Sequence, residues 1–346
     1  SAGMIAVEAR LQALVEDPFD LERGPLIRCR LFSVGVDDHV LALVVHHIAA
    51  DYWSLQVLIR ELTQLYAGKG EPHATQLPPL AIQYPDYAVW QKQRSQELLG
   101  QLDYWRTQLA DAPQLLQLPA DFPRPAIQSF DGARHSFQLD TRLSESIVRL
   151  SRSRGLTPFM VLLAAFQLLL HRYSGADDIC VGSTVSNRDR AELRDLIGLF
   201  VNNLVFRTRI ASDDTFDSLL ARVGRTALDA YAHQEVPFEQ VVDALNVERN
   251  LSHNALFQAM FVLHNTGKQS PSLSGLEVST IDFNSRASRF HISLDMYEGE
   301  HFTGVFEYNA DLFHQSTIAR FASHFSTLLK AVLQDPALPL ASIDLL

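Results

Sequence analysis

Two adjacent histidines followed four residues later by an aspartate, in the run His46-His47-Ile48-Ala49-Ala50-Asp51, form the segment of this sequence best suited to chemistry. Strand side chains alternate between faces, so His46 and His47 at a strand end should point to opposite sides, one to the core and one to a cleft. One of the two can act chemically, hardly both. An imidazole with a pKa of about 6.5 can take a proton from an amine or hydroxyl at neutral pH, which suits general-base acyl transfer. Asp51 could anchor the turn that aims it. On spacing alone, a satisfied core histidine remains the alternative. Two histidines and a carboxylate also spell a possible metal site, but opposed side chains do not easily share one ion, and no HExxH pattern accompanies them. No metal is expected. The absence of GxGxxG after a strand, of GxxxxGK[ST] and of GxSxG removes dinucleotide binding, P-loop chemistry and the usual serine-hydrolase arrangement.

The histidines sit between β-patterned runs at 26–34 and 39–48, read as a hairpin across Gly35-Val36-Asp37-Asp38, and an amphipathic helix over 54–66 that Gly68 can cap. A further helix is expected around 84–109 among several prolines, then a connection over 118–132. Thr157-Pro158 reads as an N-cap and first helical residue ahead of an apolar, buried helix at 159–173. Residues 178–185 read as a strand, 216–231 as a helical stripe, 256–263, 290–297 and 302–308 as strands, and 314–333 as a last helix. The class is therefore mixed α/β (α+β) with substantial antiparallel sheet. The length of 346 residues allows about two domains, taken as an N-terminal lobe at 1–117, the connection at 118–132 and a C-terminal lobe at 133–346. Forty acidic against 29 basic residues leave a formal charge of −11, which argues against nucleic acid or an anionic membrane as partner. Two cysteines, Cys29 and Cys180, are too few for a disulfide framework. No apolar run is long enough to span a bilayer, so a cytoplasmic protein is expected.

The segment HHIAADYWS at 46–54 closely resembles the HHxxxDG active-site motif of condensation domains from non-ribosomal peptide synthetases, relatives of chloramphenicol acetyltransferase. YPDYAVWQ at 84–91, IGLFVNNLVFR at 197–207, HQEVPFE at 233–239 and RNLSHNALFQ at 249–258 resemble the family's later motifs, in family order. The match runs from about Asp17 to the last residue. The family's opening motifs are absent, so the first lobe is expected to be incomplete. Tyr52 stands for the motif's glycine, Asn203 for a threonine, Asn250 for an aspartate, and His291 for the aspartate of a Phe-Asp-Leu run.

The resemblance implies two chloramphenicol acetyltransferase-like lobes in a V-shaped pseudo-dimer, with mixed sheets, flanking helices and His47 in a tunnel between them. The domain would bind no cofactor of its own. Its substrates would arrive on the phosphopantetheine arms of donor and acceptor carrier proteins, with an adenylation domain adjoining. The acceptor amine attacks the donor thioester, and His47 either takes its proton or donates a hydrogen bond that positions the amine or stabilises the tetrahedral intermediate. The implied site comprises His47, His46 and Asp51, an Asp51–Arg207 ion pair, and Tyr52, Trp53 and Asn202 as tunnel lining. Tyr52 also matches an HHxxxD[FY]WS variant associated with amino-acid-modifying domains, which would dehydrate a β-hydroxy aminoacyl thioester. A catalytically silent recruitment module and an epimerisation domain are further readings. The intact histidine motif speaks against the former and the remaining motifs against the latter.

Overall fold

The computed structural model describes residues 2–68, 77–211, 213–247, 250–265, 272–281 and 287–344. The chain divides into two compact units, one of Ser1–Gln93, Arg188–Val201 and Ser270–Ser279, the other of Arg94–Asn187, Asn202–Gln269 and Thr280–Leu346. The break thus falls at Gln93, not at residue 117. Residues 94–117 join the second unit because Leu98, Trp105, Leu109 and Leu116 are buried in its core.

The first unit contains α1 (Ala2–Glu16), β1 (Ile27–Ser33), β2 (His39–Val45), α2 (Tyr52–Ala67) and α3 (Tyr84–Gln93). β1 and β2 form the expected antiparallel hairpin, in register from Ser33 opposite His39 to Ile27 opposite Val45. Its second strand stops at Val45, so His46 and His47 lie beyond it and strand alternation does not govern them. His46 N–H still donates to the Leu26 carbonyl at 2.9 Å, and Ala49 N–H then folds back to the His46 carbonyl at 2.9 Å, closing a turn. The expected 54–66 helix starts two residues early, at Tyr52, and Gly68 caps it. A small core joins Tyr87, Leu193, Leu196 and Phe200, with Ile82, Tyr84 and Trp90 against it.

The second unit comprises α4 (Leu99–Gln108), β3 (Gly132–Gln138), α5 (Thr141–Ser153), α6 (Pro158–Ser174), β4 (Asp178–Val185) and β5 (Asn202–Arg209), followed by α7 (Phe216–Ala232), α8 (Phe238–Ala244), β6 (Ala259–His264), β7 (Ile292–Tyr297), β8 (Thr303–Asn309) and α9 (Gln315–Gln334). The single helix expected over 84–109 is thus two, α3 and α4. Between them the polar run 91–97 offers no apolar side chain to bury. Six strands form one mixed sheet in the order β3-β8-β7-β6-β4-β5, parallel at β4–β6 and β6–β7 and antiparallel elsewhere. α6 is buried along 160–170, as an all-round apolar helix must be. Thr157 accepts from Met160 N–H at its start, and Gly175 in the left-handed region (φ 68°) ends it. No single helix among the described residues is long and apolar enough to cross a membrane.

Candidate active site at the histidine turn

His47 lies exposed in the turn between β2 and α2, and its Nδ1 is 2.9 Å from the Ala50 carbonyl oxygen. A carbonyl only accepts, so Nδ1 carries the proton, and the neutral ring keeps its lone pair on Nε2. His46 takes the opposite arrangement. Its Nδ1 accepts from Ile48 N–H at 3.1 Å, and the half-buried ring meets Phe19 edge-on, with centroids 5.8 Å apart. One histidine therefore ties down the turn, and the other presents a basic nitrogen.

What holds the turn is a buried polar clasp around Asp51. As N-cap of α2, Asp51 accepts from Ser54 N–H at 2.8 Å through Oδ1. Its Oδ2 accepts from Phe200 N–H at 3.0 Å, and its own N–H donates to the Gly198 carbonyl at 3.2 Å. Ser54, with no exposed surface, accepts at Oγ from Gly198 N–H at 3.0 Å and from Arg188 at 2.7 Å, while Asp51 Oδ1 (2.7 Å) and the Gly198 carbonyl (2.8 Å) both lie within reach of its hydroxyl proton. The Arg188 guanidinium completes the clasp. It reaches Asp51 Oδ1 at 3.0 Å, donates to the Leu193 and Leu196 carbonyls at 2.5 and 2.8 Å, and lies 4.0 Å from the centre of the Phe200 ring.

Asp51 and Arg188 side chains are 5% and 0% exposed, so both charges depend on each other and on these hydrogen bonds. Burial pulls the Arg188 pKa down and the Asp51 carboxylate opposes that shift. Tyr84 lies beside the pair, its pKa raised by burial and then by the Asp51 charge. Its hydroxyl donates to the Leu199 carbonyl at 2.9 Å. A Cβ on Gly198 would stand 2.1 Å from the Tyr84 ring, which explains why the IGLF segment needs glycine there.

The expected Asp51–Arg207 pair is corrected: Asp51 pairs with Arg188, and Arg207 pairs with Asp178 across the β4–β5 ladder at 2.7 Å. Arg207 also donates to the Gln108 and Ala110 carbonyls, closing the C-terminal end of α4. Asn202, expected to line a tunnel, instead clamps the second unit. Its Nδ2 donates to the Gln234 and Val236 carbonyls at 2.9 and 2.7 Å, and its Oδ1 accepts from Phe238 N–H at 3.0 Å, the first residue of α8. Tyr52 and Trp53 are exposed at the start of α2, and Trp53 Nε1–H donates to the Arg194 carbonyl at 2.8 Å.

The two last motifs are structural in the second unit. His233 stacks on Tyr104 with centroids 4.0 Å apart, Glu235 meets Arg94 at 2.7 Å, and Gln258 bonds the backbone at Gln114, Leu116 and Asn254. Arg249 lies outside the described residues. Sequence reasoning missed Arg188 and Ser54. Ser54 was detectable as the third helical residue after an aspartate N-cap, whereas nothing local separates Arg188 from Arg190 or Arg194. Among the described residues no three His, Cys, Asp or Glu side chains are grouped to hold a metal ion.

The Condensation domain family profile matches residues 3–346. A linear gramicidin synthase polypeptide of Brevibacillus parabrevis is 45% identical over 97% of this chain. Phosphinothricin tripeptide synthetase PhsC of Streptomyces viridochromogenes is 41% identical over 98%. The matches cover 7% and 32% of those proteins, so the chain spans well under two thirds of the curated relatives it matches. Among solved structures, the X-domain from teicoplanin biosynthesis superposes with a TM-score of 0.92 at 30% identity, over 98% of this chain and 79% of that one. A four-domain nonribosomal peptide synthetase bound to AMP and glycine superposes with a TM-score of 0.87 at 25% identity, over 97% and 27%. The chain belongs to the condensation domain family, with that family's mixed α/β fold.

Proposed function

We propose that this domain forms an amide between a donor acyl or peptidyl thioester and the amine of an acceptor aminoacyl thioester, both delivered on phosphopantetheine arms of carrier proteins beside an adenylation domain. The amine nitrogen attacks the donor carbonyl, the C–N bond forms, the C–S bond breaks, and the amine's proton leaves as the donor thiolate departs. Holding the two tethered reactants together supplies most of the rate, on the order of 7–11 kcal/mol in favourable systems. The observation that supports this reading is the His47 tautomer: with Nδ1–H donating to Ala50, Nε2 is the nitrogen available to take the amine's proton or to orient the amine. Asp51, Ser54 and Arg188 hold the turn, and Tyr52, exposed one residue after Asp51, is the residue this reading assigns to the acceptor side. A cytoplasmic location belongs to the same proposal, since it follows the carrier-bound substrates.

The test is intact-mass analysis of loaded carriers. Added acyl mass on the acceptor supports amide formation, loss of water would indicate dehydration, and no change would indicate recruitment. His47→Ala should abolish product while the melting temperature stays near that of the parent. Turnover within about threefold of the parent, far less than the tenfold that about 1.4 kcal/mol represents, would refute the role of His47.

A further inference from the structure

Glu145, Val148, Arg149 and Arg152 follow one another at i, i+3, i+4 and i+7 along α5, so they share one face of that helix. The connection at 298–302 between β7 and β8 is tied down beside this face. Phe302 N–H donates to Ser144 Oγ at 3.1 Å, Leu139 N–H donates to the Phe302 carbonyl at 2.9 Å, and Thr141 Oγ1 lies 3.2 Å from His301 Nδ1. At its other end Glu298 N–H donates to the His264 carbonyl at 3.0 Å. The start of α5 is fixed in turn by Asp140, which accepts from Leu143 N–H at 2.7 Å. Helix and connection enclose a cavity of about 690 Å³, within the size range of small-ligand sites.

Val148, half-buried, and Phe302, buried, give the cavity an apolar lining. Its charged lining comes from two directions: Arg149 and Arg152, with Glu145, from α5, and Glu298 and Glu300 from the connection. Among the described residues no ion pair joins the arginines to these glutamates, and Arg149 donates to Ser146 Oγ at 2.6 Å instead. By contrast, Arg134 and Arg154 of the same unit meet Glu307 and Asp217 at 2.8 Å. The cavity thus holds charges of both signs that do not neutralise one another.

We propose that this cavity binds a short free peptide as its zwitterion, with the C-terminal carboxylate on Arg149 and Arg152 and the N-terminal ammonium on Glu298 and Glu300. A guanidinium fork matches the two oxygens of a carboxylate, and an ammonium is a compact cation that carboxylates accept from. A single amino acid has both charges on one carbon. Two or three linked residues set the charges apart and lay their side chains on Val148 and Phe302. The site belongs to the second unit and uses no residue of the histidine turn, so it goes beyond the proposed amide-forming reaction.

The test is isothermal titration of the whole chain with the tripeptide Ala-Val-Ala at neutral pH and low salt. The parent should bind saturably, and N-acetylation or C-amidation of the peptide should each weaken binding about two- to fivefold. Arg152→Gln should weaken the free peptide by a similar factor and the C-amidated peptide hardly at all. Glu298→Gln should do the same with the N-acetylated peptide. Both side chains are exposed, so neither change threatens the fold. Arg142→Gln, on α5 but outside the cavity, should bind as the parent does. No saturable binding in the parent, equal binding of a doubly capped peptide, equal binding by both variants, or free alanine binding as tightly as the tripeptide would each overturn the proposal.

Discussion

Each unit contains a buried Asp–Arg clamp, and the two are built differently. Asp51–Arg188 in the first unit is almost wholly enclosed, at 5% and 0% exposure, and the carboxylate also serves as a helix cap and an acceptor for two backbone N–H groups. Asp178–Arg207 in the second unit leaves the carboxylate 25% exposed, and Arg207 keeps three carbonyls as further acceptors. Beside the first clamp lies a small apolar cluster of Tyr87, Leu193, Leu196 and Phe200, with Ile82, Tyr84 and Trp90 against it. The second sits beside a core filled by α6, α7 and α9 against a six-stranded sheet. The loop bearing His47 is thus held by polar geometry that tolerates no missing partner, and the scaffold by apolar area that tolerates many changes.

Arg188→Ala should therefore be the most damaging of these changes, costing about 3–5 kcal/mol because it strands the buried Asp51 carboxylate. Arg207→Ala should cost less, about 1.5–3 kcal/mol, since water reaches Asp178. Urea unfolding of both variants compares them directly, and equal losses would erase the distinction.

A titration should strike the second unit through His291. A histidine in the unfolded chain takes its proton near 6.5, whereas folded His291 resists until about 4. As pH falls through that window the unfolded chain binds a proton that the folded chain refuses, so stability is lost on acidification and is complete above about pH 6.5. The full contribution is about 3 kcal/mol. Melting curves from pH 7 to 4 should be flatter for His291→Gln than for the parent.

Gly198→Ala should cost about 3 kcal/mol, because the new methyl meets the Tyr84 ring while the backbone on either side is clasped by Asp51 and Ser54. Tyr84→Ala should relieve part of that loss, and strict additivity in the double mutant would show that the ring is not the obstacle. Ser54→Ala comes last, at about 1–2 kcal/mol, leaving the Gly198 N–H without its acceptor. Its product assay should fall more than its stability does, since the His47 turn loosens before the fold is lost.

Elements with strong local signals were readable. The hairpin, the Thr157-Pro158 start of α6, strand β4 and helices α7 and α9 follow from period, cap and turn chemistry within a dozen residues. The end of β2 at Val45 was not, because there the apolar pattern continues and long-range hydrogen bonding decides where the strand stops, whereas the break between α3 and α4 lies at the polar run 91–97.

Sequence alone therefore determined which residues could do the chemistry: the paired histidines, the aspartate after them, and a glycine-bearing segment far along the chain that belongs with them. Only tertiary structure decided how they are used. Which arginine meets Asp51 depends on the path by which residues 188–200 return to the first unit, a path with no signature in local spacing. Which histidine keeps a basic nitrogen outward depends on two hydrogen bonds within a turn, Ile48 to His46 and His47 to Ala50. Charge and hydrogen-bond partners are chosen by distance in space, and spacing along the chain constrains that distance only within a helix, a strand or a tight turn.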